Sequence, residues 1–183
     1  MGALILISSP SGGGKTSVIH ALLERLQGST RLVTTTTRSP RSGEREGFDY
    51  HFMSDFEFEK KIQRGDFVEY VRYANCYYGT DRRILEDTLS AHTYVFAALD
   101  TRGKRSLKDL GISFFSIFLL PESMAVLRER LGQRPEMSQK DIDERLKEAE
   151  REIKEAQDYD VHITNRQGYF DKTIQDIIDS LPR

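Results

Sequence analysis

One short loop, Ser9-Pro10-Ser11-Gly12-Gly13-Gly14-Lys15-Thr16-Ser17, holds the first residues equipped for chemistry. Glycines let backbone N–H groups approach an anion closely, a lysine adds a mobile positive charge, and a threonine hydroxyl suits a hard divalent cation. That combination binds phosphate, with Lys15 on the transferred phosphate and Thr16 on Mg²⁺. The pattern G-x-x-x-x-G-K-[ST] has its first glycine where this chain has Ser9. Pro10 biases the residue before it toward extended angles, where a side chain carries no conformational cost. The loop's demand for positive φ and close approach therefore falls on Gly12, Gly13 and Gly14. Arg38 and Arg41 flank Pro40 in a rigid turn, and guanidinium forks match phosphate oxygens well. Asp100 ends the apolar run YVFAALD, where a carboxylate suits the acidic partner of a phosphate loop. Arg130, Arg134 and Arg145 fall in LRERLGQRPEMSQKDIDERL, which as a bare charge run reads as a solvated helix face.

These groups need a frame that brings them together. The run ALILI before the loop reads as a buried strand, and Val18, Leu22 and Leu26 after it have helical spacing. Residues 34–80 are rich in aromatics and short strand-like pieces (DYHFM, DFVEYV), with one helix at DFEFEKKIQRG, and read as an inserted subdomain. Alternation then resumes: helix DRRILEDTLSA, strand TYVFAAL, a helix near RGKRSLKDL, strand ISFFSIFLL stopped by Pro121, and helix PESMAVLRERL. A further helix carries Ile142, Leu146, Ala149, Ile153 and Ala156 on one stripe, followed by strand VHIT and helix YFDKTIQDIIDSL. Strands separated by helices predict an α/β fold, a parallel sheet covered on both faces with ligands at the strands' carboxyl ends.

The chain has 183 residues, one domain's worth. Its 27 Lys+Arg and 29 Asp+Glu give a formal charge of -2, which argues against a nucleic-acid coat or a membrane-surface role. A single cysteine, Cys76, forms no internal disulfide and lies in no Cys/His cluster. The four histidines, His20, His51, His92 and His162, lack metal spacing and read as structural or surface residues. The N-terminal apolar run is too short for a signal core or a membrane span, so a cytoplasmic protein is expected.

The stretch TTTTRSPRSGEREGFDY resembles the nucleotide-acceptor segment of guanylate kinases, S-x-[ST]-T-R-x-P-R-x-G-E-x-x-G-x-D-Y. It matches at Thr37, Arg38, Pro40, Arg41, Gly43, Glu44, Gly47, Asp49 and Tyr50. The runs GDFVEY and YYGT resemble that family's G-x-F-[LIV]-E and Y-Y-G-[ST], and the likeness spans nearly the whole chain. It implies a P-loop three-layer α/β/α core over residues 1–33, 81–132 and 146–183, a GMP-binding insert at 34–80 and a lid at about 133–145. It further implies that Arg38, Arg41, Tyr50 and Tyr78 grip the GMP phosphate, that Glu69, Thr34 and Thr80 read or position guanine, and that Asp100 serves the acceptor and the metal. Catalysis is implied for Lys15, Arg38, Arg134 and Arg145, with Arg130 and Arg134 on ATP. Guanine presents N1–H and an exocyclic amine side by side, so one carboxylate accepts both, whereas adenine would leave it unpaired. The implied reaction is ATP + GMP → ADP + GDP with Mg²⁺, on GMP or dGMP.

Two positions depart from the family. Ala98 stands where the first acid of D-x-D-x-x-G is usual, an acid expected on the acceptor side, and Pro135 replaces a glycine of the lid. Two other readings stay open at this point: a non-catalytic guanylate-kinase-like interaction domain, and a related kinase with a different nucleoside monophosphate acceptor.

Overall fold

The computed structural model describes residues 2–41, 43–73, 75–133 and 137–182. Strand β1 (Ala3–Ser8) lies at the centre of a five-stranded sheet in the order β2-β7-β1-β8-β9. It pairs with β7 (Tyr94–Ala98) and β8 (Phe115–Pro121), which pair in turn with the edge strands β2 (Ser29–Arg31) and β9 (Val161–Asn165), and every pairing is parallel. The apolar run is continuous because both sheet faces are covered. Ile5 and Ile7 join Val18, Ile19 and Leu22 of α1 (Lys15–Arg25) and Ile174 and Ile177 of α7 (Phe170–Ser180) on one face. Leu4 and Leu6 join Leu85 and Leu89 of α3 (Arg82–Ala91) and Leu107 of α4 (Thr101–Asp109) on the other. Replacing one of these fully buried side chains by alanine would cost about 2–5 kcal/mol.

The second sheet has four strands in the order β4-β3-β6-β5. It comprises β3 (Thr35–Thr36), β4 (His51–Phe52), β5 (Phe67–Tyr73) and β6 (Cys76–Asp81). Helix α2 (Asp55–Arg64) covers one face, with the Phe58 ring stacked at 4.1 Å from Phe67 and 5.0 Å from Tyr77. A capping box between Ser54 and Glu57 starts α2, and Gly65 at φ 71° ends it. The opposite face carries Tyr78 and Thr80 by the two-residue alternation of β6, and a β-bulge between Phe67 and Glu69 brings Glu69 onto it as the partner of Thr80. Val68 packs into the α3/α4 core cluster, so the small sheet is pinned to the large one through the start of β5.

Helix α5 (Met124–Gly132) starts at the Ser123 cap, later than its apolar residues suggest, and α6 (Gln139–Glu155) starts at a Ser138/Asp141 capping box. Ile142, Leu146, Ala149 and Ala156 are buried and Ile153 half-buried, as their spacing predicts. Helix α6 runs unbroken through residues 145 and 146, so a lid ending there would move with that helix. Pro121 is the last residue of β8 and does not stop it short. It pairs with Asn165, beyond the last β1 pairing of Ser8 with Phe118, so its missing N–H costs no bond to β1. DYHFM yields only two strand residues, and β8 begins three residues later than ISFFSIFLL suggests. No helix among the described residues is long and apolar enough to cross a membrane.

Candidate functional site

The carboxyl end of β1 runs directly into the glycine loop. Gly12 at φ 86° and Gly14 at φ 96° adopt left-handed angles, so the loop folds back and delivers α1 at Lys15. Gly14 caps α1 with no side-chain hydrogen bond, leaving the helix N-terminus for a ligand anion. A cleft of about 550 Å³ opens here, lined by residues 9–17 together with Arg130, Asn165, Arg166 and Phe170 among others. Asn165 holds the loop from across the sheet: its Nδ2 donates to the Gly13 carbonyl at 3.0 Å. Arg130 donates to the Asn165 carbonyl at 3.3 Å, and Arg145 Nη1 donates to Ser11 Oγ at 2.6 Å. Two of the three arginines read from the sequence thus stand on the loop. Arg134 and Pro135 lie outside the described residues.

Tyr159 braces the loop from beneath, its hydroxyl donating to Ser8 Oγ at 2.9 Å while Ser8 donates to the Leu99 carbonyl at 2.6 Å. Burial, partly offset by the Ser8 bond, pushes this phenol up to about 12, so it stays a neutral donor. Asp100 follows Leu99 and is the N-cap of α4, with Oδ1 accepting from Gly103 N at 2.9 Å and Oδ2 from Arg102 Nε at 3.3 Å. Glu152 of α6 is a group the sequence reading missed. Burial pushes it up to about 7; Lys15 opposes that, Glu148 and Asp100 add to it, and Arg102 opposes it.

The acceptor-side residues gather on the small sheet. Glu69 is half-buried and accepts from Thr80 Oγ1 at 2.7 Å. Burial raises its pKa, the Thr80 bond lowers it, and the nearby charge of Asp100 raises it again, with a net upward shift. The Asp100 charge is thus felt by Glu69 and by Glu152, which also feels Lys15. Arg38 donates to Glu44 Oε1 at 2.7 Å, and its guanidinium lies 5.5 Å from the Tyr50 ring. Glu44 raises the Arg38 pKa and Tyr78 adds to the rise, so Arg38, Tyr50 and Tyr78 form one group. Glu44 Oε2 also accepts from Arg41 N at 2.7 Å, which fixes the turn that carries both arginines. Thr34 is half-buried, and its carbonyl accepts from His51 N, joining the strand of the arginine turn to β4.

Ala98 pairs with Ile7 at the carboxyl end of β7 and packs against the α1-side cluster. The residues missed by sequence reading are Asn165, Glu152 and the loop after β9. A polar NRQG run following an apolar strand was the available signal, since ligands gather at strand carboxyl ends where strand order reverses.

The guanylate kinase family model matches residues 1–182. A guanylate kinase of Rickettsia bellii is 38% identical over 176 residues, covering 96% of this chain and 91% of its own length. One from Vibrio parahaemolyticus is 40% identical over 177 residues, covering 96% of this chain and 84% of its own. The crystal structure of guanylate kinase from Anaplasma phagocytophilum superposes with a TM-score of 0.75 at 30% identity, over 97% of this chain and 83% of that one.

Proposed function

The chain belongs to the guanylate kinase family, and from that premise we propose that it transfers the γ-phosphoryl group of ATP to GMP, giving ADP and GDP. Residues 34–80 are the GMP-binding insert and residues 133–145 the lid, on a core made of the remainder. The ATP phosphates lie along residues 9–17, with Lys15 and the first-turn N–H groups of α1 as donors, while Arg130, Arg134 and Arg145 neutralise charge from the lid side. Arg38, Arg41, Tyr50 and Tyr78 hold the GMP phosphate; Glu69, with Thr80, Thr34 and Asp100, holds guanine. That phosphate has a second pKa near about 6, so it is largely dianionic at neutral pH and needs no general base. One of its oxygens bonds to the γ-phosphorus as the bond to the β–γ bridging oxygen breaks, and the electron pair leaves with ADP. The protein's task is alignment, charge neutralisation and exclusion of water.

Among the described residues no group of three or more His, Cys, Asp and Glu could hold a metal ion. The available donors are hard oxygens, the Thr16 hydroxyl and the Asp100 carboxylate, which fits Mg²⁺ arriving on the nucleotide. Asp100 is already engaged as a helix cap, which makes Thr16 the firmer of the two. When bound, the ion offsets negative charge on the phosphates. Such substrates point to the cytoplasm as the place of action.

The observation that carries this reading is the half-buried Glu69 held by Thr80 on the face opposite Phe58, with Asp100 near it. A carboxylate so placed suits guanine's paired N–H donors. The test is an ADP-release assay with ATP and GMP, dGMP, AMP, UMP, CMP or dTMP. Turnover with GMP and dGMP alone is expected; turnover with another monophosphate and none with GMP would overturn the proposal.

A further inference from the structure

The phosphate-loop pattern fixes glycine at its first position and leaves the residue two before the lysine free. This chain inverts both, with Ser9 at the first position and Gly13 at the free one. Gly12 and Gly14 have positive φ, but Gly13 does not, so backbone conformation does not require glycine there. Space does. A Cβ on Gly13 would lie 2.5 Å from Ser9 Oγ, 2.6 Å from Ser9 Cβ and 3.0 Å from the Pro10 carbonyl oxygen. The Ser9 side chain occupies the volume that a side chain at position 13 would need, and Ser9 is only 3% exposed, so it has no outward route.

The Ser9 hydroxyl also has directed bonds. It donates its one proton to the Pro10 carbonyl at 3.0 Å, which leaves lone pairs to accept, and Lys15 Nζ lies 3.3 Å from it. Lys15 Nζ donates as well to the Ser9 carbonyl. One residue thus presents two acceptors, from backbone and side chain, to the ammonium at the floor of the cleft.

We propose that Ser9 and Gly13 are a compensated pair sharing one volume of the loop, and that the Ser9 hydroxyl positions the Lys15 ammonium for phosphate. This rests on the reading of the loop as the ATP site. Lysine carries substantial rotamer freedom, and a second acceptor on Ser9 reduces what must be lost when phosphate binds. The Ser9 side chain makes glycine necessary at 13, whereas glycine at 9 removes the two closest contacts and leaves the Pro10 carbonyl oxygen at 3.0 Å.

The test measures binding of a fluorescent ATP analogue in the absence of GMP, then steady-state turnover. ATP-analogue binding tests the pair independently of the acceptor, so a chain that binds ATP but fails on GMP would count against the proposed function and not against the pair. Gly13→Ala alone is expected to weaken analogue binding by about 10-fold or more, as expected for overpacking a tight loop. The double variant Ser9→Gly with Gly13→Ala is expected to return within about 3-fold of Ser9→Gly alone. If Gly13→Ala fails to fold, a folded double variant gives the same support, read by thermal melting. Unimpaired binding by Gly13→Ala, or a double variant as poor as Gly13→Ala, overturns the shared volume. Ser9→Ala keeps the volume and removes the hydroxyl: kcat/KM for ATP is expected to fall by about 3- to 10-fold with KM for GMP unchanged. No change in kcat/KM for ATP, or an equal change in KM for GMP, overturns the positioning role.

Discussion

The cleft at the glycine loop is built largely from backbone and the proposed acceptor site largely from side chains. Around the proposed phosphate position, loop N–H groups and a helix N-terminus converge, and what approaches them from outside, Asn165 and Arg145, holds the loop in shape or covers it. Around the proposed guanine and GMP phosphate, recognition rests on Glu69, Thr80 and Tyr78 of the small sheet and on Arg38, Glu44 and Tyr50 of the loop between β3 and β4. A backbone nest reads only that a phosphate is present. A side-chain pocket can tell one base from another, because a buried donor or acceptor left unpaired is costly. With the proposed function, this difference would put phosphoryl transfer on the large-sheet side and base selectivity on the small-sheet side, and substitutions on the two sides should separate them.

The largest effect is expected from Lys15→Ala, which should lower kcat/KM by about 10³-fold or more while GMP still binds, measured by turnover and by GMP titration. Loss of both would erase the division. Next comes Glu69→Gln, which should lower kcat/KM for GMP by about 10³-fold or more and leave ATP-analogue affinity unchanged. The same residue gives a pH signature. Its pKa is raised, so the ionised form that accepts guanine is lost earlier on acidification than for an ordinary carboxylate. KM for GMP should therefore rise as pH falls through the weakly acidic range, and Glu69→Gln should flatten that profile. Glu44→Gln should raise KM for GMP by about 10-fold with a smaller change in kcat, because it releases Arg38 and the Arg41 backbone together without touching the donor cleft.

The smallest effect sharpens the donor side. Glu152 has a folded pKa of about 7 against an ordinary 4.5, so the folded protein holds this proton more tightly than the unfolded chain. Its contribution is fully present below pH of about 4.5 and is lost as pH rises through about 7. Glu152→Gln should melt higher than the parent at pH of about 8 and no differently at about 4, read by thermal denaturation.

Much of the large sheet was legible because β1, β7 and β8 are mostly apolar runs and its helices have regular stripes, whereas β2 (Ser29–Arg31) has no apolar residue and was not foreseen. The small sheet was only partly so. β3 and β4 are two residues each and exist through their pairing with β6 and with one another, which no local pattern records. Glu152 was hidden in the charged run KEAEREIKE, where only packing distinguishes the inward carboxylate from its neighbours. Ser9 was legible as a departure and was misread. Pro10 accounts for its backbone, but the cost of its side chain falls on Gly13, four residues on, where only coordinates reveal the crowding. Asn165 is separated by 152 positions from the carbonyl it holds, and nothing along the chain links the two.

That last bond orders events during synthesis. The glycine loop is made well before β9, yet its carbonyl at Gly13 is held by the last residue of that strand, an edge strand that pairs only with β8. Contacts this distant in sequence form late and slowly. A nascent chain therefore displays the glycine loop's residues long before that loop is braced, and a ligand held there as proposed would stabilise the fold only after Asn165 has emerged and docked.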